Sequence, residues 1–327
     1  MAALVDPFAR TVADLRISVT DRCNLRCTYC MPEDGLAWLP RDELLSYEEI
    51  ERVARVCVER FGFRAIRITG GEPTVRADLA VLVGKLAALG VDLSLTTNGL
   101  TLPALAADLR RAGLRRVNIS LDTLRPDRFT ALTRRDALPR VLAGIDAALA
   151  AGLGPVKVNC VLMRGVNDDE IVDLAEFGRA AGVTVRFIEF MPLDADGAWT
   201  PETVVTAEEV VSTVDAVHPL VAVAERGTQP AERYRYRDGR GEIGVVPSVT
   251  RSFCGSCDRV RLTAEGMFRN CLFALGETDL RAVLRRGGTD DELAGAIRAD
   301  VDTKWAGHAI GQVTFVRPAR TMSQIGG

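Results

Sequence analysis

The chain has 327 residues, 47% of them hydrophobic and 26% charged, enough to bury a large core and to form one large domain with a smaller one beside it. Its net charge of −3 argues against a dedicated nucleic-acid binder, whose phosphate contacts demand a basic face. No apolar run approaches the length that crosses a bilayer and no leader pattern opens the sequence, so a cytoplasmic protein with no membrane or nucleic-acid partner is expected.

Along the chain, apolar runs rich in β-branched residues alternate with stretches of helical period, and the alternation repeats six times. The predicted strands are "LRISVT" (15–20), "AIRITG" (65–70), "DLSLTTNG" (92–99), "RVNISLD" (116–122), "VKVNCVLM" (156–163) and "VTVRFIEFM" (183–191). The first intervening helix, "SYEEIERVARVCVERFG", opens with a capping box in which Ser46 and Glu49 each satisfy a backbone donor, and it runs into Gly62. The others are "DLAVLVGKLAALG", "LPALAADLRRAG", "LPRVLAGIDAALAAG" and "NDDEIVDLAEFGRAAG", and each ends at a glycine suited to a left-handed C-cap. Repeated βα units mean a parallel sheet, with a doubly wound open sheet as the competing architecture. Polar residues recur at the C-terminal end of each strand, which favours a barrel, and six units leave it incomplete.

Near residue 195 the pattern breaks into a polar connection, "DADGAWTPETVV". A boundary is expected between 195 and 230, dividing the chain into residues 1–225 and 226–327. The second part contains a predicted hairpin around Asp238 and Gly239 in "YRYRDGRGEIGVV" and then "CGSCDRVRLTAEGMFRNC". On pattern alone, "DRVRL" reads as a solvated edge strand with charged outward positions. The closing "MSQIGG" reads as a flexible tail.

Six of the eight cysteines form two triads. Cys23, Cys27 and Cys30 make C-x3-C-x2-C on the loop leaving the first strand, and Cys254, Cys257 and Cys271 make C-x2-C-x13-C near the end. In a reducing compartment clustered cysteines serve metals or redox chemistry more often than disulfides. The second triad alone fits either a structural zinc site lacking an obvious fourth ligand or an iron–sulfur cluster. Three thiolates per cluster leave one iron open to a substrate or cofactor. Cys57, within a helix, and Cys160, within a strand, read as small buried hydrophobes.

The first triad, with Tyr29 before its third cysteine and "GGEP" after the second strand, resembles the radical S-adenosylmethionine (SAM) superfamily. The motifs "CNLRCTYCMP", "RITGGEP", "TTNG", "NISLD", "KVN", "FIEFMP", "FCGSCDRVRLTAEG" and the closing Gly-Gly together resemble the GTP 3′,8-cyclase family, which opens molybdenum-cofactor biosynthesis. The fold this implies is α/β: an incomplete (β/α)6 TIM-like barrel of the radical SAM type, with a smaller C-terminal α+β region carrying a second iron–sulfur site. The cofactors implied are SAM and two [4Fe–4S] clusters, one on each triad. The first would chelate SAM and yield a 5′-deoxyadenosyl radical that abstracts hydrogen from C3′ of GTP. The C3′ radical would then attack C8, giving 3′,8-cyclo-7,8-dihydro-GTP, with the guanine held at the second cluster.

The same resemblance assigns Tyr29, Gly70, Gly71, Glu72, Ser120 and Met191 to SAM. It assigns Arg16, Arg67, Thr96, Lys157, Arg186, Arg259 and Arg261 to GTP, arginine forks being suited to a triphosphate. Relatives can carry lysine where this chain has Ala65, beside Arg64. Gly326 and Gly327 would reach into the active site and serve the chemistry rather than the fold. Asp122 and Glu189, near strand ends, are candidate supporting groups. The implied partners are GTP, an electron donor and the next enzyme of the pathway, with a homodimer as a candidate assembly. Two other classes are weighed beside this one: a peptide-modifying radical SAM enzyme, and a non-catalytic iron–sulfur or zinc protein.

Overall fold

The computed structural model describes residues 3–32, 34–194, 197–224 and 226–326. Six parallel strands lie side by side in chain order: β1 (Asp14–Ser18), β2 (Ala65–Thr69), β3 (Asp92–Thr97), β4 (Arg116–Ser120), β5 (Lys157–Leu162) and β6 (Thr184–Glu189). A doubly wound sheet would reverse its winding at a switch point. These six keep strict sequence order, the winding of a barrel.

The C-terminal third then extends both margins of the same sheet. β7 (Glu242–Val246) runs parallel beside β6, and β8 (Arg259–Leu262) runs parallel beside β1. Antiparallel strands continue outward, Glu232–Tyr236 and Leu220–Ala222 beyond β7, Met267–Arg269 and Thr278–Asp279 beyond β8. The result is an open sheet of 12 strands, and no ladder closes it among the described residues. The expected hairpin is present, its strands Glu232–Tyr236 and β7 pairing across Asp238 and Gly239.

The period-2 alternation explains which face packs. Leu15 and Ile17, Ile66 and Ile68, Leu93 and Leu95, and Val117 and Ile119 turn outward into a single buried core beneath the helices. Their neighbours Arg16, Arg67, Thr96, Asn159 and Arg186 turn inward to line a cavity. The interior of this barrel is therefore polar space rather than stacked side chains. Cys57 and Cys160 are fully buried in the core, as their helix and strand positions suggest.

The first helix, Tyr47–Phe61, begins as its sequence predicts: Glu49 N–H donates to Ser46 Oγ at 3.1 Å, and Ser46 N–H to Glu49 Oε2 at 2.7 Å. Such a cap is worth about 1 kcal/mol. The glycine stops are less uniform than expected. Gly62 and Gly182 are left-handed C-caps, whereas Leu79–Ala87, Leu102–Arg111 and Leu138–Ala150 end on alanines in right-handed conformation. In those three, a positive-φ glycine (Gly90, Gly113, Gly152) turns the chain one or two residues later. A further helix, Pro126–Thr133, carried no clear periodic signal and packs beside the cysteine loop. Among the described residues no helix is long and apolar enough to cross a membrane.

Candidate active site

The loop after β1 folds against two neighbours. Cys30 and Met31 N–H both donate to the Cys27 carbonyl, at 2.9 and 3.0 Å, a tight turn that brings Cys27 and Cys30 to one side. Arg26 and Thr28 N–H donate to the carbonyls of Thr133 and Leu132, each at 3.0 Å. From the other flank, Gly71 N–H and Glu72 N–H reach the carbonyls of Thr20 and Arg22 at 2.7 Å. A Cβ on Gly70, where φ is +149°, would meet the Thr20 carbonyl at 2.5 Å, and one on Gly71 would strike the backbone of Asp21 and Arg22. The Gly-Gly pair is required because the cysteine loop lies directly on it, a second reason beside the approach of a cofactor.

Glu72 is buried, and burial raises its pKa. Its carboxylate accepts from Thr74 N–H and Oγ1 at 3.1 and 2.5 Å, from Thr97 Oγ1 at 2.6 Å and from Asn98 N–H at 2.6 Å. It braces the ends of β2 and β3. Asn98 in turn points its amide at Cys23 Sγ, 3.8 Å away. Tyr29 donates its hydroxyl to Asp122 Oδ2 at 2.7 Å, while Val161 N–H holds Oδ1 at 2.8 Å. Cys23, Cys27, Cys30, Tyr29, Gly70, Gly71, Glu72, Ser120, Asp122 and Met191 all line one cavity. Burial pushes the thiols up, Cys23 to about 11 and Cys30 to about 12, with Cys27 raised further by Cys30 and Asp122.

An adjoining cavity shares Thr96, Asn159, Ile188, Met191 and Met322 with the first. Its walls carry Cys254, Cys257 and Cys271 together with Arg16, Arg67, Arg186, Arg259 and Arg261. The edge-strand reading of "DRVRL" is overturned: β8 is an interior strand, and Arg259 and Arg261 are 6% and 5% exposed on its cavity face. Arg261 lies in register with Arg16, and Arg16 with Arg67, so three guanidinium groups share one row across neighbouring strands.

Among the described residues, no carboxylate hydrogen-bonds these groups. Arg16 Nε, Arg261 Nε, and Arg259 Nε and Nη2 are buried with no hydrogen-bond partner among the described residues, Asp258 standing off from Arg259 at 3.8 Å. Burial, and then the neighbouring guanidinium groups, lower Arg16 to about 9. Arg186 is lowered to about 10 in the same way and is tethered by Asn159 at 2.7 Å and Asn118 at 2.9 Å. At Cys257 burial opposes ionisation, but Arg259 and Lys304 bring the thiol below its usual pKa.

The end of the chain is built in. Met322–Ile325 form a helical turn capped by Thr321 and Gln324, Met322 and Ser323 face the cavities, and Ile325 is buried. A Cβ on Gly326, where φ is +71°, would lie 2.5 Å from both Ser18 Oγ and Thr69 Cγ2 at the ends of β1 and β2. Gly326 is therefore an inserted residue, and the flexible-tail reading is corrected for residues 322–326. Gly327 lies outside the described residues.

Lys157 is the outlier: it sits at the first position of β5, half-buried, and lines neither cavity. Burial, then Arg186, Arg116 and Arg67, lower it to about 8. Glu189 is spent elsewhere, accepting from Ala207, Val249 and Thr250 N–H at 2.7–2.9 Å. Sequence reasoning missed Asn98, Asn159, Met322, Ser323 and His308, all on the cavity walls. "TTNG" and the strand-end polar positions were the available signals for the first two.

Three thiols to a cavity are a donor set that fits an iron–sulfur cluster. All six triad cysteines are free and partly exposed to a cavity, with three thiols to each. No group of three or more His, Cys, Asp or Glu side chains among the described residues is placed to hold one metal ion.

A partial barrel with this loop is the architecture of the radical SAM superfamily, whose family model matches residues 17–178, followed by that of Molybdenum Cofactor Synthesis C over 183–310. Membership implies SAM and an iron–sulfur cluster. The GTP 3′,8-cyclase of Streptomyces coelicolor is 51% identical over 99% of this chain and 96% of its own. That of Rhodopirellula baltica is 49% identical over 99% and 92%. The chain belongs to the GTP 3′,8-cyclase family. Among solved structures, Streptococcus suis SuiB bound to its precursor peptide SuiA aligns with a TM-score of 0.62 at 16% identity, covering 88% of this chain and 67% of that one. This last likeness is one of fold.

Proposed function

We propose that the protein is a radical SAM enzyme that converts GTP to 3′,8-cyclo-7,8-dihydro-GTP, the first step of molybdenum-cofactor biosynthesis. The observation that carries this reading is the cluster of buried guanidinium groups of Arg16, Arg259 and Arg261, with nitrogens that have no hydrogen-bond partner among the described residues, in a cavity walled by a thiol triad. Burying such charges is costly without an anion, and a triphosphate supplies both the charge and the acceptor oxygens.

Cys23, Cys27 and Cys30 would hold a [4Fe–4S] cluster that, when bound, supplies the electron for reductive cleavage of SAM. Around it, the backbone of Gly70–Gly71 and the side chains of Ser120 and Met191 shape a pocket for SAM. Tyr29 is oriented by Asp122, and Glu72 fixes the loop ends. Arg16, Arg259 and Arg261 take the triphosphate, with Arg67, Arg186 and Thr96 along the nucleotide. Cys254, Cys257 and Cys271 would hold a second [4Fe–4S] cluster with one iron open toward the guanine. Lys157, at the far end of the barrel, acts on this site through its charge rather than from the cavity wall. Gly326, packed against the ends of β1 and β2, closes the space beside the nucleotide, and Gly327 is assigned with it to the chemistry by the resemblance alone. The reading requires an electron donor and an enzyme that takes up the product.

The test is anaerobic reconstitution with iron and sulfide, incubation with GTP, SAM and reductant, and mass analysis. A cyclised nucleotide formed together with 5′-deoxyadenosine is expected. SAM cleavage with GTP recovered unchanged would reject the assignment. The peptide-modifying alternative has the fold likeness to SuiB but lacks sequence kinship at the level of the cyclases.

A further inference from the structure

The second triad, unlike the first, is assembled from two separate segments of chain, residues 254–257 and 271. One buried side chain joins them. Lys304 is 4% exposed, and its Nζ donates to the Arg259 carbonyl at 2.8 Å and to the Asn270 carbonyl. Arg259 lies two residues beyond Cys257, and Asn270 immediately precedes Cys271. The contact is reciprocal, since Asn270 Nδ2 donates to the Asp300 carbonyl at 2.7 Å and to Thr303 Oγ1 at 2.9 Å, fixing the turn that carries Lys304. The chain just after it packs on the remaining cysteine, Cys254: a Cβ on Gly307 would sit 3.1 Å from its Cβ and 3.5 Å from its Sγ.

A second cation, Arg10, also reaches this region, donating to the carbonyls of Cys254 and Ala306 at 2.7 Å and of Trp305 at 2.5 Å. Its charge is cancelled by Asp6, 2.5 Å away. Lys304 makes no ion pair of this kind among the described residues: its acceptors are neutral carbonyls, and its charge is felt by the Asp300 carboxyl and by the thiols of Cys257 and Cys271, with Arg10 and Arg261 opposing it. A buried ammonium with no carboxylate hydrogen-bonded to it is stabilised by further negative charge nearby. A cluster bound through three thiolates supplies it.

We propose that Lys304 is the positioning residue of the second triad, joining its two cysteine segments and providing the counter-charge for the cluster bound there. The inference rests on the two-cluster reading above. The side chain touches no substrate; it acts through the backbone of Arg259 and Asn270. Removing it should free the Cys271 segment from the Cys257 segment and withdraw a positive charge from beside the cluster.

The experiment uses full-length protein reconstituted anaerobically, with iron content, electron paramagnetic resonance of the reduced state, redox titration and SAM cleavage without GTP measured on wild type, Lys304→Met, Lys304→Arg and Lys304→Gln. Wild type is expected to hold about eight iron atoms per chain. Lys304→Met should fall to about four, losing one resonance signal while SAM cleavage persists, and Lys304→Arg should recover most of the loss. Should Lys304→Met fail to fold, as judged by melting of the cluster-free chain, Lys304→Gln carries the test. It keeps a donor without the charge, so its second signal should titrate at a lower potential than in wild type. Wild-type iron, signal and potential in Lys304→Met, or in Lys304→Gln in its place, would overturn the proposal. Wild type holding a single cluster would sink the two-cluster reading itself, and the inference with it, before any variant is compared.

Discussion

Cys23, Cys27 and Cys30 occupy eight residues of one loop and face Asp122 and Glu72, whereas Cys254, Cys257 and Cys271 come from two segments and face Arg259, Arg261 and Lys304. The first group of thiols is raised in pKa by burial, with nearby carboxylates adding to it, and Cys257 is lowered by cations. Equal numbers of thiols thus stand in fields of opposite sign at two ends of connected space. On the proposed reading this contrast sorts the two ligands. SAM carries a sulfonium cation and belongs beside carboxylates, while a triphosphate belongs beside buried guanidinium groups.

The contrast breaks most completely at Cys27. Cys27→Ala should abolish SAM cleavage while leaving the second cluster's iron and resonance signal in place; loss of both clusters together would show that the triads are not independent. Next in size is the cationic end. Arg259→Ala or Arg261→Ala should weaken GTP binding by about 1.5–3 kcal/mol, ten- to a hundredfold, with SAM affinity unchanged in calorimetry. Equal losses for SAM and GTP would contradict the separation of fields.

Smaller effects sharpen the comparison. Gly326→Ala forces a side chain against Ser18 and Thr69 in a left-handed conformation, a strain of roughly 1–2 kcal/mol before any steric clash. Nucleotide cyclisation should fall about tenfold or more, with the melting temperature and cluster content near wild type. Unchanged turnover would make the insertion of Gly326 incidental. The smallest effect concerns Asp300, behind the second triad, which burial raises to about 6. The unfolded chain releases this proton first, so the ionised group disfavours the fold, and its share of stability is lost as pH rises from about 4 to 6. Asp300→Asn should raise stability at pH 7 by at most about 3 kcal/mol and flatten that slope. A variant less stable than wild type at pH 7 would mean that the carboxylate's bond from Thr278 matters more than its burial.

The six strands and the first triad were legible because alternation and close spacing are local signals. "LRISVT" shows its buried face in Leu15 and Ile17, and three cysteines in eight residues cannot be far apart. The position of "DRVRL" was not legible from its own pattern. Alternating arginines look alike on an exposed edge and on the wall of a polar cavity, and the pairing that decides between them joins Arg261 to Arg16 across most of the chain. Lys304 was invisible for a similar reason: nothing near it in sequence marks it as the link between Arg259 and Asn270. Glu72 could be placed near the cofactor by its motif, but its four bonds to Thr74, Thr97 and Asn98 depend on two loops meeting.

The addition of β7 and β8 to opposite margins of the sheet has a consequence for how the chain is made. When the ribosome has delivered β6, the six-stranded unit already contains its helices, yet β1 and β6 both present open rows of backbone donors and acceptors. Those rows stay unpaired until residues 242–262 emerge, on the order of ten seconds later at ordinary rates of synthesis. Exposed parallel margins of this kind are templates for mispairing between nascent chains. The two stretches matched by separate family models therefore share one sheet. A fragment ending at residue 225 would retain the SAM-facing cysteines while lacking both strands that cap its edges, and it should accumulate as aggregate rather than as a half-enzyme.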